Sequence, residues 1–150
     1  MVIAFFDASA IVKRYSVEPD RALVFTHDAV IVAQLSEVEV ASAIWRKRRG
    51  NQLTAVEAST LTRAVQRDFH DDSPDAPFAV VALSDQLVGR SVDAIAQHGL
   101  RTGDAIQLAS ALVARESLPD CEAFAAFDVR LRNAAQAVGF VLIPREEQLA

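Results

Sequence analysis

Val2-Ile3-Ala4-Phe5-Phe6-Asp7-Ala8-Ser9-Ala10-Ile11 is an apolar run that stops at a carboxylate. Small residues and then an apolar pattern at helical spacing follow at once. The stretch reads as a buried strand over residues 2–6 that turns directly into a helix over residues 9–15, with Asp7 at the strand's carboxyl end. In open α/β sheets, sites form just beyond the carboxyl ends of the strands. The rest of the chain is therefore read for strands that deliver further polar groups to the same edge.

After Ser16-Val17-Glu18-Pro19-Asp20 a second helix is expected over residues 21–28, then a β-branched strand over residues 30–33. Ser36 and Glu39 have the S-x-x-E spacing of a capping box and open a long helix with Val40, Ala43 and Ile44 on its apolar face. That helix ends in Trp45-Arg46-Lys47-Arg48-Arg49-Gly50, with cations in its last turn and glycine as the stop. Thr54 and Glu57 repeat the box before a helix in which Leu61, Val65 and Phe69 recur every four residues. Ser73-Pro74-Asp75-Ala76-Pro77 breaks the chain into a loop.

A third strand is expected over residues 78–83, and Ser84 caps a helix closed by Gly99. Thr102-Gly103-Asp104 opens another helix, with an apolar stripe of Ile106, Ala109, Leu112 and Val113. A fourth strand, residues 124–127, ends at Asp128. A helix with Leu131, Ala134, Ala135 and Val138 runs to Gly139, a last strand covers residues 140–143, and the polar tail 145–150 is expected to be loose. Strands alternate with helices and are apolar on both sides, which means a parallel sheet covered on both faces.

Size and composition set bounds on function. The chain has 150 residues and 51% hydrophobic content, enough for the core of one domain over residues 1–150. No apolar run is long enough to span a bilayer, and the N-terminus lacks the pattern of a signal peptide, so a cytoplasmic protein without membrane association is expected. The single cysteine, Cys121, reads as a small semi-buried residue. A net charge of −5 argues against indiscriminate nucleic-acid binding but leaves room for a local basic patch, or for acids gathered around a cation.

Four carboxylates attract notice: Asp7, Glu39, Asp104 and Asp128. Each has a plainer explanation. Asp7, Asp104 and Asp128 lie at helix starts, where an acid caps free N–H groups and meets the positive dipole end; Glu39 completes a capping box. Their order changes the argument. Asp7 and Asp128 end parallel strands, so they share an edge, and Glu39 and Asp104 begin helices that start on it. Acids gathered at one mouth repel one another unless something neutralises them. A hard divalent cation does so, and Mg²⁺ takes a few carboxylates while keeping several waters.

At these residues the chain resembles a PIN-domain ribonuclease of the VapC toxin type. Phe6-Asp7-Ala8-Ser9-Ala10, with Lys13 and Tyr15, is similar to the family's opening motif. Leu35-Ser36-Glu37-Val38-Glu39-Val40-Ala41-Ser42-Ala43-Ile44 resembles the second, residues 100–111 around Asp104 the third, and residues 124–131 around Asp128 the fourth. Each motif alone is weak; the ordered set is specific and spans nearly the whole chain. The resemblance implies a three-layer α/β/α PIN-like fold with a five-stranded parallel sheet and endonuclease activity on RNA that depends on Mg²⁺ or Mn²⁺. It also implies a small antitoxin partner and a homodimer. Carried over, Asp7, Glu39, Asp104 and Asp128 form the acidic site, with Asp7 and Asp104 as direct metal ligands and Glu39 and Asp128 acting directly or through water. Ser9 fits the first motif's hydroxyl. One departure is Ala126, where the family often has Ser or Thr.

Such chemistry needs no histidine, and His27, His70 and His98 are scattered away from the motifs. A bound divalent ion lowers the pKa of its water and stabilises the transition-state oxygens. Lys13, Arg14 and Arg101 lie near the acids in sequence and are candidate phosphate contacts. The basic run Arg46 to Arg49 reads as a solvated helix end. Leu23, Val24, Phe25, Val40, Ile44 and Trp45 offer apolar surface for a partner helix, or ordinary core. Competing readings fit less well. A receiver-like domain wants paired acids after strand one and a late lysine; a haloacid-dehalogenase-type phosphatase wants an acid where Ser9 stands. A non-catalytic PIN-like binding module and a PIN nuclease with an RNA-processing role and no antitoxin remain open.

Overall fold

The computed structural model describes residues 2–16 and 29–149. The helix expected over residues 21–28, with Leu23, Val24, Phe25 and His27, lies outside the described residues.

Five strands form one sheet: β1 (Ile3–Phe6), β2 (Ala29–Ala33), β3 (Ala79–Val81), β4 (Cys121–Ala125) and β5 (Val141–Ile143), in the order β3-β2-β1-β4-β5. All four pairings are parallel, as the apolar strands predict. Successive side chains of each strand point to opposite faces. Ala4, Phe6 and Val32 therefore enter one core, while Phe5, Ile31 and Ala33 enter the other. The first core is closed by α1 (Ala8–Ile11), α2 (Leu35–Arg49) and α3 (Ala55–Phe69), through Ile11, Val40, Ile44, Val65 and Phe69. The second is closed by α4 (Asp85–His98), α5 (Thr102–Ser117) and α6 (Val129–Ala137), through Ala94, Leu108, Leu131 and Ala135. The result is the expected three-layer α/β/α fold with a five-stranded parallel sheet.

The strand order places the site. The chain moves outward from β1 to β3, then crosses back so that β4 lies beside β1. The direction of winding reverses between β1 and β4, and a crevice opens beyond the carboxyl ends of strands at such a point. Asp7 and Asp128 follow these two strands.

Several local expectations are corrected. The helix after Asp7 is one α-turn, Ala8–Ile11, that tightens into a 3₁₀ turn over Val12–Arg14. The box at Ser36 and Glu39 does not form. Gln34 is anchored to the end of the β3 segment, its N–H donating to the Val81 carbonyl (2.9 Å) and its Oε1 accepting from the Leu83 N–H (2.8 Å), so α2 starts at Leu35 and Ser36 lies inside it, buried. The box at Thr54 and Glu57 does form. The glycine stop holds, since Gly50 ends α2, while the left-handed conformation falls on the next residue, Asn51, with φ 59°. On α5 the buried residues are Ala105, Gln107, Leu108, Ala109, Ser110, Ala111 and Ala114, while Ile106, Leu112 and Val113 are only half-buried. This helix is covered by the sheet, α4 and α6 at once, and its alanines permit the close approach. The tail is not wholly loose, because Glu146–Gln148 form a 3₁₀ turn. No helix among the described residues is long and apolar enough to cross a membrane.

Candidate functional site

Asp7 continues the β1–β4 ladder by one step, its N–H donating to the Ala125 carbonyl (3.0 Å). The chain then turns into α1, and the Asp7 side chain caps it: Oδ1 accepts from the Ala10 N–H (2.9 Å) and from the Ser9 hydroxyl (2.7 Å). The plain capping role is therefore real. Asp7 is also only 5% exposed, and burial is the main cause that lifts its carboxyl pKa from 3.8 to about 7. The two hydrogen bonds pull it down; Asp104 and Glu39 push it up again. Ser9 does a second job, since its Oγ accepts the Phe127 N–H at 3.1 Å. One hydroxyl thus ties Asp7 to the turn that carries Asp128.

Glu39 stands one turn into α2 and is freed by the failure of the capping box. Its Oε1 accepts from Gln107 Nε2 at 2.7 Å, and the same nitrogen donates to the Ser36 hydroxyl at 2.7 Å. Ser36 and Glu39 are three apart on α2, as Asp104 and Gln107 are on α5, so each pair shares a helix face. Gln107, 1% exposed, bridges the two helical layers over the end of the sheet. Its Oε1 has no hydrogen-bond partner among the described residues. Burial raises the Glu39 pKa, the Gln107 bond lowers it and Asp104 raises it. A Cβ on Gly103 would sit 3.0 Å from Glu39 Oε2, so the glycine leaves room for this carboxylate against the first turn of α5.

Asp104 lies in that first turn but is not its cap; Arg101 holds the cap position and makes no side-chain cap bond. Burial raises the Asp104 pKa, Asp128 adds to the rise and Arg101 offsets part of it. Asp128 is the most exposed of the four and caps α6, its Oδ2 accepting from the Leu131 N–H (3.0 Å). The turn before it is held from behind by the buried Arg132, which donates to the Ala126 carbonyl (2.8 Å) and the Pro144 carbonyl (2.7 Å). Ala126 itself is fully buried, in the second core.

All four acids line one recess of about 400 Å³, with Ser9, Arg101 and Gln107 among its other walls. The structure brings together the four candidate carboxylates, Ser9 and Arg101. It does not bring Arg14, whose Nε lies 3.5 Å from Asp68 Oδ2 and whose guanidinium packs over Phe78. Lys13 covers the Phe127 ring at 4.5 Å, beside the recess and not in its wall. No histidine among the described residues lines the recess; His70 meets Glu37 at the surface. Gln107, Ser36 and Gly103 were missed in the sequence. A glutamine inside a stretch of alanines and leucines was the available signal.

Four carboxylates face one guanidinium here; burial is the main cause that raises the pKa values of Asp7, Glu39 and Asp104, and repulsion between the acids adds to it. Among the described residues no three His, Cys, Asp or Glu side chains stand close enough to grip one ion directly. An all-oxygen, acid-rich recess without a tight cage fits a hard divalent cation that keeps part of its water shell.

No family model matches the chain, and no curated protein matches it significantly. Among solved structures it is similar to Mycobacterium tuberculosis VapC20, a sarcin–ricin loop cleaving toxin, with a TM-score of 0.63. The match covers 93% of this chain and 96% of that one, at 16% sequence identity. At that identity the likeness speaks for the fold alone, which this chain shares with that toxin.

Proposed function

We propose that this chain is a single PIN-like domain acting as a divalent-metal-dependent endoribonuclease, the toxin of a toxin–antitoxin pair. The observation that carries the reading is the meeting of Asp7, Glu39, Asp104 and Asp128, from four separate segments, at the switch point of a fold shared with an RNA-cleaving toxin. Asp7 and Asp104 would hold Mg²⁺ or Mn²⁺ directly, with Glu39 and Asp128 acting directly or through water. The ion, when bound, supplies an acidified water as nucleophile and relieves charge on the phosphate.

The chain's own residues do the rest. Ser9 fixes the rotamer of Asp7 and the position of the Asp128 turn. Gln107 donates to Glu39 and so keeps one of its oxygens from drifting across the recess. Arg101, exposed at the rim, is placed to meet a phosphate oxygen of the scissile group. Carboxylates that are costly to ionise when the recess is empty become easier to ionise beside a cation. A small antitoxin, a homodimer and a cytoplasmic location belong to the same reading. Of the apolar residues considered for a partner helix, Val40 and Ile44 are core, and Trp45, 36% exposed, remains available.

The test is cleavage of end-labelled RNA, beginning with a sarcin–ricin loop, in Mg²⁺, in Mn²⁺ and in EDTA. Wild-type protein is expected to cut only with metal, and Asp104→Asn to be at least a hundredfold slower, as for loss of a metal-holding group. Expression alone is expected to arrest bacterial growth, relieved by a small protein encoded beside it. Wild-type protein that cuts no RNA in either metal overturns the nuclease reading; harmless expression at good yield overturns only the toxin role.

A further inference from the structure

We propose that the groove running from the acid recess along α2 seats a single-stranded stretch of RNA, with Arg46 as the cation that grips its backbone. The inference rests on the nuclease reading, because it assigns the path of that enzyme's substrate. The groove has a volume of about 870 Å³ and shares Ala8, Ser9 and Glu39 with the recess, so the two are continuous.

One face of α2 organises it. Glu39, Ser42, Ala43 and Arg46 follow at three- and four-residue steps, which places them along one stripe. The stripe passes from an acid, through small residues, to a cation. Glu39 and Arg46 are separated by about 10 Å along the helix axis. The opposite wall carries Lys13 and Phe127. Of the basic run that closes α2, Arg46 and Lys47 line the groove, while Arg48 and Arg49 do not. Half of that run thus faces the site, and interaction with the helix dipole does not account for its direction.

Charge decides the occupant. The chain carries a net −5, and the recess itself is acidic, so neither draws in a polyanion. Attraction for the strand has to be local, and cations lining the approach to the recess supply it. Small side chains at Ala8, Ser42 and Ala43 leave room for a sugar–phosphate backbone. A helix-binding groove would present large apolar anchors. On α2 Val38 alone among the large apolar residues is exposed in the groove, while Val40 and Ile44 are turned into the core, so no row of anchors forms.

The experiment measures binding apart from cutting. Asp104→Asn protein is titrated with a fluorescein-labelled single-stranded RNA, followed by anisotropy at several salt concentrations. In that background Arg46→Gln is expected to weaken binding several-fold and to lower the salt slope by about 0.7, the share of one phosphate contact on a single strand. Ser42→Trp fills the groove without changing charge and is expected to weaken binding as strongly. Arg63→Gln, an exposed cation on α3 outside the groove, is expected to change nothing. Thermal melts of each variant confirm that it folds. RNA bound equally well by Arg46→Gln and Ser42→Trp, or an equal loss from Arg63→Gln, overturns the proposal, as does a parent that binds no RNA. If those two variants bind RNA normally but lose a protein partner, the groove is a protein seat and the proposal falls. A wild-type protein that cuts nothing, beside a parent whose binding depends on Arg46, removes the nuclease reading and leaves the groove as a nucleic-acid seat.

Discussion

Asp7 has two roles that oppose each other. It caps α1, which any short polar residue could do, and it keeps a carboxylate in a site where burial lifts its pKa to about 7. A group whose folded pKa lies above its unfolded one stabilises the fold fully below the unfolded value, and that contribution is lost as pH rises through the folded value. The window here runs from 3.8 to about 7. Metal-free protein is therefore expected to melt progressively lower as pH rises from 5 to 7.5, with at most about 3 kcal/mol at stake over that range. Asp7→Asn keeps the cap and removes the charge, so it should flatten this slope, melt higher at pH 7.5 and lose cleavage. An unchanged slope in thermal scans of that variant would remove Asp7 as its source. Gly103 offers a second test at this scale. Its missing Cβ is the space beside Glu39 Oε2, so Gly103→Ala should displace the carboxylate and slow cleavage about tenfold while costing less than about 1 kcal/mol of stability. A normal cleavage rate would mean that the position of Glu39 is not critical.

The helix starts show how far local sequence carries. Two S/T-x-x-E boxes stand in the chain, and only the one at Thr54 forms. The other fails because Gln34 is anchored to the β3 end, which draws Ser36 into the helix and hands it to Gln107. The two sites therefore predict different losses. Thr54→Ala should cost about 1 kcal/mol in denaturant melts and leave cleavage unchanged. Ser36→Ala should slow cleavage by loosening Gln107 and Glu39, with no cap to lose. If the two variants behave alike, the distinction is wrong. Element type and order were legible from periodicity, glycine stops and the Ser73–Pro77 break. The buried face of α5 was not, since a helix packed on three sides carries alanines where an amphipathic stripe is expected. The direction of Arg14 was equally hidden, because its partners Asp68 and Phe78 lie far along the chain.

At the scale of the molecule, the fold explains why acids far apart in sequence meet. Parallel strands bring Asp7 and Asp128 to one edge, the reversal between β1 and β4 opens the crevice there, and Gln107 joins the helical layers across it. That much of the site was readable, because strand ends and helix starts share an edge in any such sheet. The contacts of Gln107 with Ser36 and Glu39 were not, because they join side chains of α2 and α5 that meet only after folding. The central claim is that this edge holds a divalent ion through those acids together. Calorimetric titration of Mn²⁺ into the wild-type protein and into Asp7→Asn, Glu39→Gln, Asp104→Asn and Asp128→Asn tests it most directly. Wild-type protein should bind the ion, with the largest loss of affinity in Asp7→Asn and Asp104→Asn and smaller losses in the other two. Folded wild-type protein that takes up no Mn²⁺, or Asp7→Asn and Asp104→Asn variants that bind it as tightly as the wild type, would contradict the account.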